Sequence, residues 1–227
     1  MTIPREANDL RGVVALPIRL EQPPLEEATF EVRFAPSVDS VVNLLPGIFF
    51  AKLGSQYTRS ESLPLASLPL PIRKAEPNLR YQQQIRLIGE SLAIFIGDCV
   101  AGVSILAPYQ GWAEFEPRIL EFLQTLHASG LASKVERASM KAVNLIPAAD
   151  QSGLDMLNVH VEIAGAPPPG VGFRLRAELA DGRMIQILEI SPSAQLTSPN
   201  GRAGSGVLIA VDSILSIDGE EFWSDFV

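Results

Sequence analysis

The sequence predicts an α+β fold: an antiparallel sheet with a ferredoxin-like split βαβ order in the N-terminal two-thirds, extended by a C-terminal β-meander. Three observations predict it. Phe30-Glu31-Val32-Arg33-Phe34 alternates strictly between apolar and charged residues, which is the two-residue period of a half-buried strand. Trp112, Phe115, Ile119, Phe122, Leu123 and Leu126 recur at helical spacing, while Glu114, Arg118 and Glu121 fall on other faces. Downstream, Phe173, Leu175, Ala177 and Leu179 alternate with Arg174, Arg176 and Glu178, and Asp181-Gly182 follows as a hairpin turn.

Residues 1–22 carry no clear period and read as an irregular lead-in that Pro23-Pro24 ends, so one α+β domain is expected over 23–227. After the strand around Phe30–Phe34, Pro36 stops the extended run. Asp39 or Ser40 can cap a helix reaching Lys52-Leu53, with Gly54 as its C-terminal stop and Pro46-Gly47 predicting a kink or a restart. Pro64, Pro69, Pro71 and Pro77 predict an extended loop across residues 60–78. Tyr81 to Ile88 and Ser91 to Leu106 read as two strands joined at Gly89-Glu90, with Gly97 and Gly102 marking a bulge or bend. The helix headed by Trp112 places that tryptophan as an anchor in the core. Pro117 belongs near its first turn and Gly130 is its C-cap.

The strand Val135 to Ile146 and Pro147 complete a βαββαβ part over 23–147. A meander is expected over 154–217, with strands at Met156–Ile163, Phe173–Leu179, Met184–Ile190 and Val207–Ile217. Pro167-Pro168-Pro169-Gly170 and Ser191–Gly206 are expected as loops. Residues 218–227 look like the first turns of an amphipathic helix. They either dock their aromatics at the end of the sheet or belong to a truncated copy of something longer.

Composition narrows the function. The net charge of −8 is carried by 26 acidic and 18 scattered basic residues, which argues against phosphate-backbone binding; no nucleic-acid partner is expected. The single cysteine, Cys99, excludes an internal disulfide and a cysteine-rich metal site, and its apolar surroundings predict a buried thiol. The apolar run Gly12–Ile18, broken by Pro17, is too short for a membrane span and too weak for a signal peptide, so a cytoplasmic protein with no membrane partner is expected.

No HExxH, CxxC, GxGxxG, Walker or GxSxG motif occurs, and no cofactor, metal or catalytic residue is expected. Gly201-Arg202-Ala203-Gly204-Ser205-Gly206 precedes a strand rather than a helix and reads as a flexible loop. His127, at the end of a helix, suits a capping or surface role. Six residues form the candidate ligand or partner face: Arg33, Arg137, Asn144, His160, Glu162 and Arg174. His160 and Glu162 share a strand face in a spacing open to metal or acid–base work, although solvated sheet surface explains them as well. Glu31 and Arg33 can form a charge ladder with Arg137 or Lys141.

Five ordered blocks carry a resemblance: Pro24–Phe34, Leu45-Pro46-Gly47, Tyr109–Trp112 with Phe115, Arg137 through Asn144 to Ile146, and Val207–Asp212. In these the chain resembles a sporadically distributed prokaryotic family of conserved hypothetical proteins of unknown function. That family usually has a second arginine and a tyrosine where this chain has Lys141 and Ala142, and it tends to continue further. The resemblance implies no activity; patchy distribution implies a horizontally mobile bacterial system of the defence or toxin–antitoxin kind. The expectation is a non-enzymatic protein that binds a protein partner or a second copy of itself through an exposed sheet face or edge strand. The alternative is a small-molecule-binding or hydrolytic domain with a pocket on the concave sheet face.

Overall fold

The structure is a computed structural model describing Leu20, residues 23–147, Leu157, and residues 159–166, 173–217 and 221–224. The lead-in apart from Leu20, Met156, Asn158, the segment 167–170 and the ends of 218–227 lie outside the described residues. The chain is α+β, and its described residues form one nine-stranded sheet in which every pairing is antiparallel. The strands are β1 (Leu25–Pro36), β2 (Arg59–Ser62), β3 (Ile85–Ile88), β4 (Leu92–Ile96), β5 (Val100–Leu106), β6 (Ala132–Ile146), β7 (Leu175–Asp181), β8 (Met184–Thr197) and β9 (Ala203–Ser216). The helices are α1 (Val41–Leu53), α2 (Leu70–Ala75), α3 (Trp112–Ala128) and the single turn α4 (Glu221–Ser224). The sheet order is β2-β3-β4-β5-β1-β6-β9-β8-β7. β1 therefore sits in the middle and joins a β2–β5 half to a β6–β9 half.

The alternation of β1 determines what each face meets. Ala28, Val32 and Phe34 are buried on one face with Ile94, Ile96, Val103 and Ile105 of the neighbouring strands. α1 and α3 lie over that face. α1 buries Val41, Val42, Leu45, Phe49 and Leu53, a helical stripe, and α3 buries Phe115, Ile119, Phe122, Leu123 and Leu126. Phe49 and Phe122 stack with ring centroids 5.4 Å apart and rings 3° from parallel. Trp223 of α4 is buried against this core, its ring 4.8 Å from that of His127. His127 itself is exposed, in keeping with the surface role expected of it, and one face of its ring meets Trp223.

Local expectations and tertiary structure part company at several points. α1 runs unbroken through Pro46, because the buried stripe on both sides of it outweighs one missing backbone bond. Gly54 opens a 3-10 turn instead of ending the helix in a left-handed cap. The proline-rich segment 60–78 holds an edge strand, β2, and a short helix, α2, rather than a plain loop. The single strand expected from Ser91 to Leu106 is two, β4 and β5, turning at Gly97, whose N–H donates to the Val100 carbonyl at 2.8 Å. Pro117 lies in the second turn of α3, and Gly130, with φ 66°, follows the helix as its stop.

The stretch Leu157–Ile163 alternates as a strand would, yet its described residues have no ladder, only an isolated bridge from Ile163 to Ala166. Alternation makes a strand possible; a neighbour with free backbone groups makes one. The reverse holds for residues 191–206, expected as a loop. β8 and β9 stay paired through them to Thr197 and Ala203, with a register shift between Ser191 and Ala194 that accommodates Pro192.

This distal arm of the β8–β9 hairpin reaches across the face that carries no helix. The Arg59 guanidinium of β2 donates to the Pro199 carbonyl at 2.6 Å, Asn200 Nδ2 to the Ala107 carbonyl at 3.4 Å, and Arg202 pairs with Glu26 at 3.7 Å. Leu106, Ala93, Ile88 and Ser104 point to this face and are buried. The sheet is therefore covered by helices on one side and by its own hairpin arm on part of the other.

Gly102 of β5 is required by close approach: a Cβ there would lie 2.2 Å from Cζ of Phe95 and 2.5 Å from the Phe30 carbonyl oxygen. Gly102→Ala should cost about 2–3 kcal/mol of stability through overpacking. Urea denaturation of the variant would show a lower midpoint with an unchanged slope.

Candidate functional site

The six candidate residues lie in four places. Arg33 and Arg137 are brought together, directly opposite each other in the β1–β6 ladder on the face without helices. Two like charges at this separation repel. Glu31 relieves it, accepting from Arg33 Nε at 3.0 Å, and so does Asp212 of β9, 3.5 Å from Arg137 Nη2. The ladder expected between Glu31, Arg33, Arg137 and Lys141 thus closes on the same strand and on β9. Burial, and then the neighbouring Arg33, push the Arg137 guanidinium below its usual range; Glu31 and Asp212 oppose that. Arg137 Nε and Asp212 Oδ1 are buried without a hydrogen-bond partner among the described protein atoms. Ser139 and the Thr29–Ser104 hydroxyl pair, 2.7 Å apart, continue the polar row along the strand.

The Tyr81 ring caps one end of this row. Arg33 lies 4.6 Å and Arg80 5.0 Å from its centroid, and its hydroxyl donates to Glu136 at 2.9 Å. Glu136 is the extra residue where the β1–β6 register shifts between Arg33 and Phe34. Tyr81 carried no signal in the sequence because its strand-like surroundings form a turn instead.

Asn144 lies elsewhere. It lines a cleft of about 590 Å³ with Leu20, Pro23, Pro24, Leu25, Tyr109 and Trp112, and its Nδ2 donates to the Ile209 carbonyl at 3.4 Å. Trp112, the first residue of α3, is 51% exposed here, so it is not the core anchor that helical spacing suggested. Only its edge meets Phe115, at 6.3 Å.

Arg174 lines a third region, a cleft of about 430 Å³ between the sheet and the base of the hairpin arm, with Lys141, Val143, Glu189, Gln195 and Ala210. His160 and Glu162 pair at 3.2 Å on an exposed loop. Of the six candidates, then, only Arg33 with Arg137 and His160 with Glu162 meet, and the two pairs are separate. Among the described residues no three His, Cys, Asp or Glu side chains form a metal-binding group, and no helix is long and apolar enough to cross a membrane.

A buried ion pair escaped the sequence reading. Arg73 of α2 donates through Nε to Asp98 at 2.8 Å and through Nη1 to the Leu68 carbonyl, and buried Gln84 donates to Asp98 at 2.9 Å. It ties the proline-rich segment to the β4–β5 turn. Beside it, Cys99 is buried, and burial raises its thiol pKa despite the opposing pull of Arg80.

The last feature left open is the β7 edge. Among the described residues β7 is hydrogen-bonded on one side only, to β8, and Leu179, Met184 and Ile185 around the hairpin end are exposed.

Asp98→Ala should leave Arg73 buried and unpaired and cost about 3–5 kcal/mol, read as a fall in Tm. Cys99, Tyr57, Tyr81 and Tyr109 all hold their protons more tightly in the fold, chiefly through burial. The native state then binds more protons than the unfolded state at alkaline pH. Stability should be complete below the ordinary thiol value of 9.0 and fall as pH rises above it, and Cys99→Ala should flatten the first part of that fall in a Tm–pH profile.

No protein-family model matches the chain, and no curated protein matches it.

Proposed function

We propose that the chain is a non-enzymatic binding protein that engages a protein partner by strand addition to β7. The observation that carries this reading is the edge itself. Among the described residues, β7 has seven residues paired on one side only, with apolar side chains exposed beside it. The dispersal of the candidate polar residues supports binding over catalysis, since general acid–base and nucleophilic chemistry need convergent groups.

The finer fold reading belongs to the same proposal. β4-β5-β1-β6 with α1 and α3 is read as a ferredoxin-like split βαβ core, supported by β5 lying between β1 and β4. Kinship with the prokaryotic family rests on the five ordered blocks, and a place in a mobile bacterial system follows from that kinship; a cytoplasmic location rests instead on the weak apolar run Gly12–Ile18. A second reading, a small anionic ligand in the cleft of Arg174, Lys141 and Glu189, is favoured by two cations meeting at one cavity.

The two-residue turn Gly182-Arg183 closes on a doubly bonded Asp181–Met184 pair, so the outward-facing amides of β7 belong to Arg176, Glu178 and Ala180. Glu178→Pro therefore removes an outward donor and leaves the β8 ladder intact. With the chain as bait in extract of its source cells, the expected result is a partner retained by the wild type and lost by Glu178→Pro, with Tm changed by only about a few degrees. Equal retention by both would overturn the edge reading. For the second reading, small dicarboxylates should raise the Tm of the wild type and not of Lys141→Ala with Arg174→Ala; no shift in the wild type would dismiss it.

A further inference from the structure

We infer that the partner of the β7 edge is a second copy of this chain, joined across a two-fold axis at Ala177 to make a continuous antiparallel sheet. The inference rests on the edge reading above and adds the identity of the partner.

The edge sequence is self-complementary in one register. In β7, Leu175, Ala177 and Leu179 point to one face and Arg176 and Glu178 to the other. Antiparallel pairing of two copies about Ala177 sets Arg176 of each copy opposite Glu178 of its partner, twice, and Leu175 opposite Leu179, twice. Arg176 and Glu178 are also the residues whose backbone groups face outward, so the opposed charges fall on the hydrogen-bonded pairs of the new ladder. Moving the axis to either neighbouring residue sets Arg176 against Arg176 or Glu178 against Glu178. Charge thus selects the register.

The apolar side gains as well. Leu179 is 56% exposed, so setting the partner's Leu175 against it covers apolar surface that the single chain leaves to water. Arg176 already contacts Glu178 on its own strand and lies 3.7 Å from Glu189 of β8. The guanidinium is therefore held at the edge, on the face where the partner's carboxylate arrives.

Sedimentation velocity across a concentration series of the full chain tests this. The wild type should pass from monomer to dimer as concentration rises. Arg176→Glu alone and Glu178→Arg alone should each weaken self-association by about tenfold or more, since each sets like charges opposite twice. An equimolar mixture of those two variants should dimerise again, because each pairing then carries opposite charges. Changes within one chain cannot produce that rescue. A wild type that stays monomeric at every concentration, or a mixture that stays as monomeric as its components, would overturn the inference. If the wild type stays monomeric while Glu178→Pro still abolishes partner retention, self-pairing falls and the edge reading stands. If partner retention also survives Glu178→Pro, both fall.

Discussion

The structure depends on the central position of β1. Hydrogen-bonded to β5 on one side and β6 on the other, this strand joins the two halves of the sheet. Its side chains determine what each half can accept. One face presents Ala28, Val32 and Phe34, and two amphipathic helices are drawn onto it by the apolar area they bury there. The other presents Thr29, Glu31 and Arg33, which no helix can cover without stranding their charges, so that face is closed by polar contacts instead. A shift of one residue along β1 would exchange the two faces and leave neither covered.

The polar face shows how the sheet pays for its charges. Arg33 and Arg137 stand opposite each other, and the arrangement is tolerable because Glu31 and Asp212 flank them and Tyr81 lies across the end. Further along, the β8–β9 arm reaches over the same face and is held by Arg59, Asn200 and Arg202. These contacts link β2, at one edge of the sheet, to a hairpin from the opposite half. A sheet nine strands wide curls by its natural twist, which brings such distant strands within reach. Among the described residues, no comparable contact crosses the β7 end.

Much of the architecture was legible residue by residue. The alternation of Phe30–Phe34, the helical stripe from Phe115 to Leu126, a β7–β8 hairpin turning at Gly182-Arg183, one residue on from the expected Asp181-Gly182, and the stop at Gly130 all follow from short-range periodicity and turn chemistry. The failures share a cause. Leu157–Ile163 has the pattern of a strand, yet its described residues form no ladder, whereas residues 191–206 have the composition of a loop but pair across the two arms of a hairpin. Trp112 has the spacing of a core residue but is the first residue of α3 and is left exposed. The candidate polar residues were recognised singly. Arg33 and Arg137 met because strand register opposed them, and Asn144 and Arg174 went to different clefts for the same reason.

The sequence by itself determined the α+β class of the fold, the period of its main elements and the inward face of strands such as β1, since these depend on side chains a few residues apart. Tertiary structure decided which strands neighbour one another, where the proline-rich segment and the glycine-rich arm are pinned, and which strands lie at the two edges of the sheet. Those outcomes depend on backbone groups and charges far apart in the chain, such as Arg73 with Asp98, Arg59 with Pro199 and Arg137 with Asp212. Pairing at that range is fixed by competition for hydrogen-bond partners and buried area across the whole sheet, and no local pattern carries it.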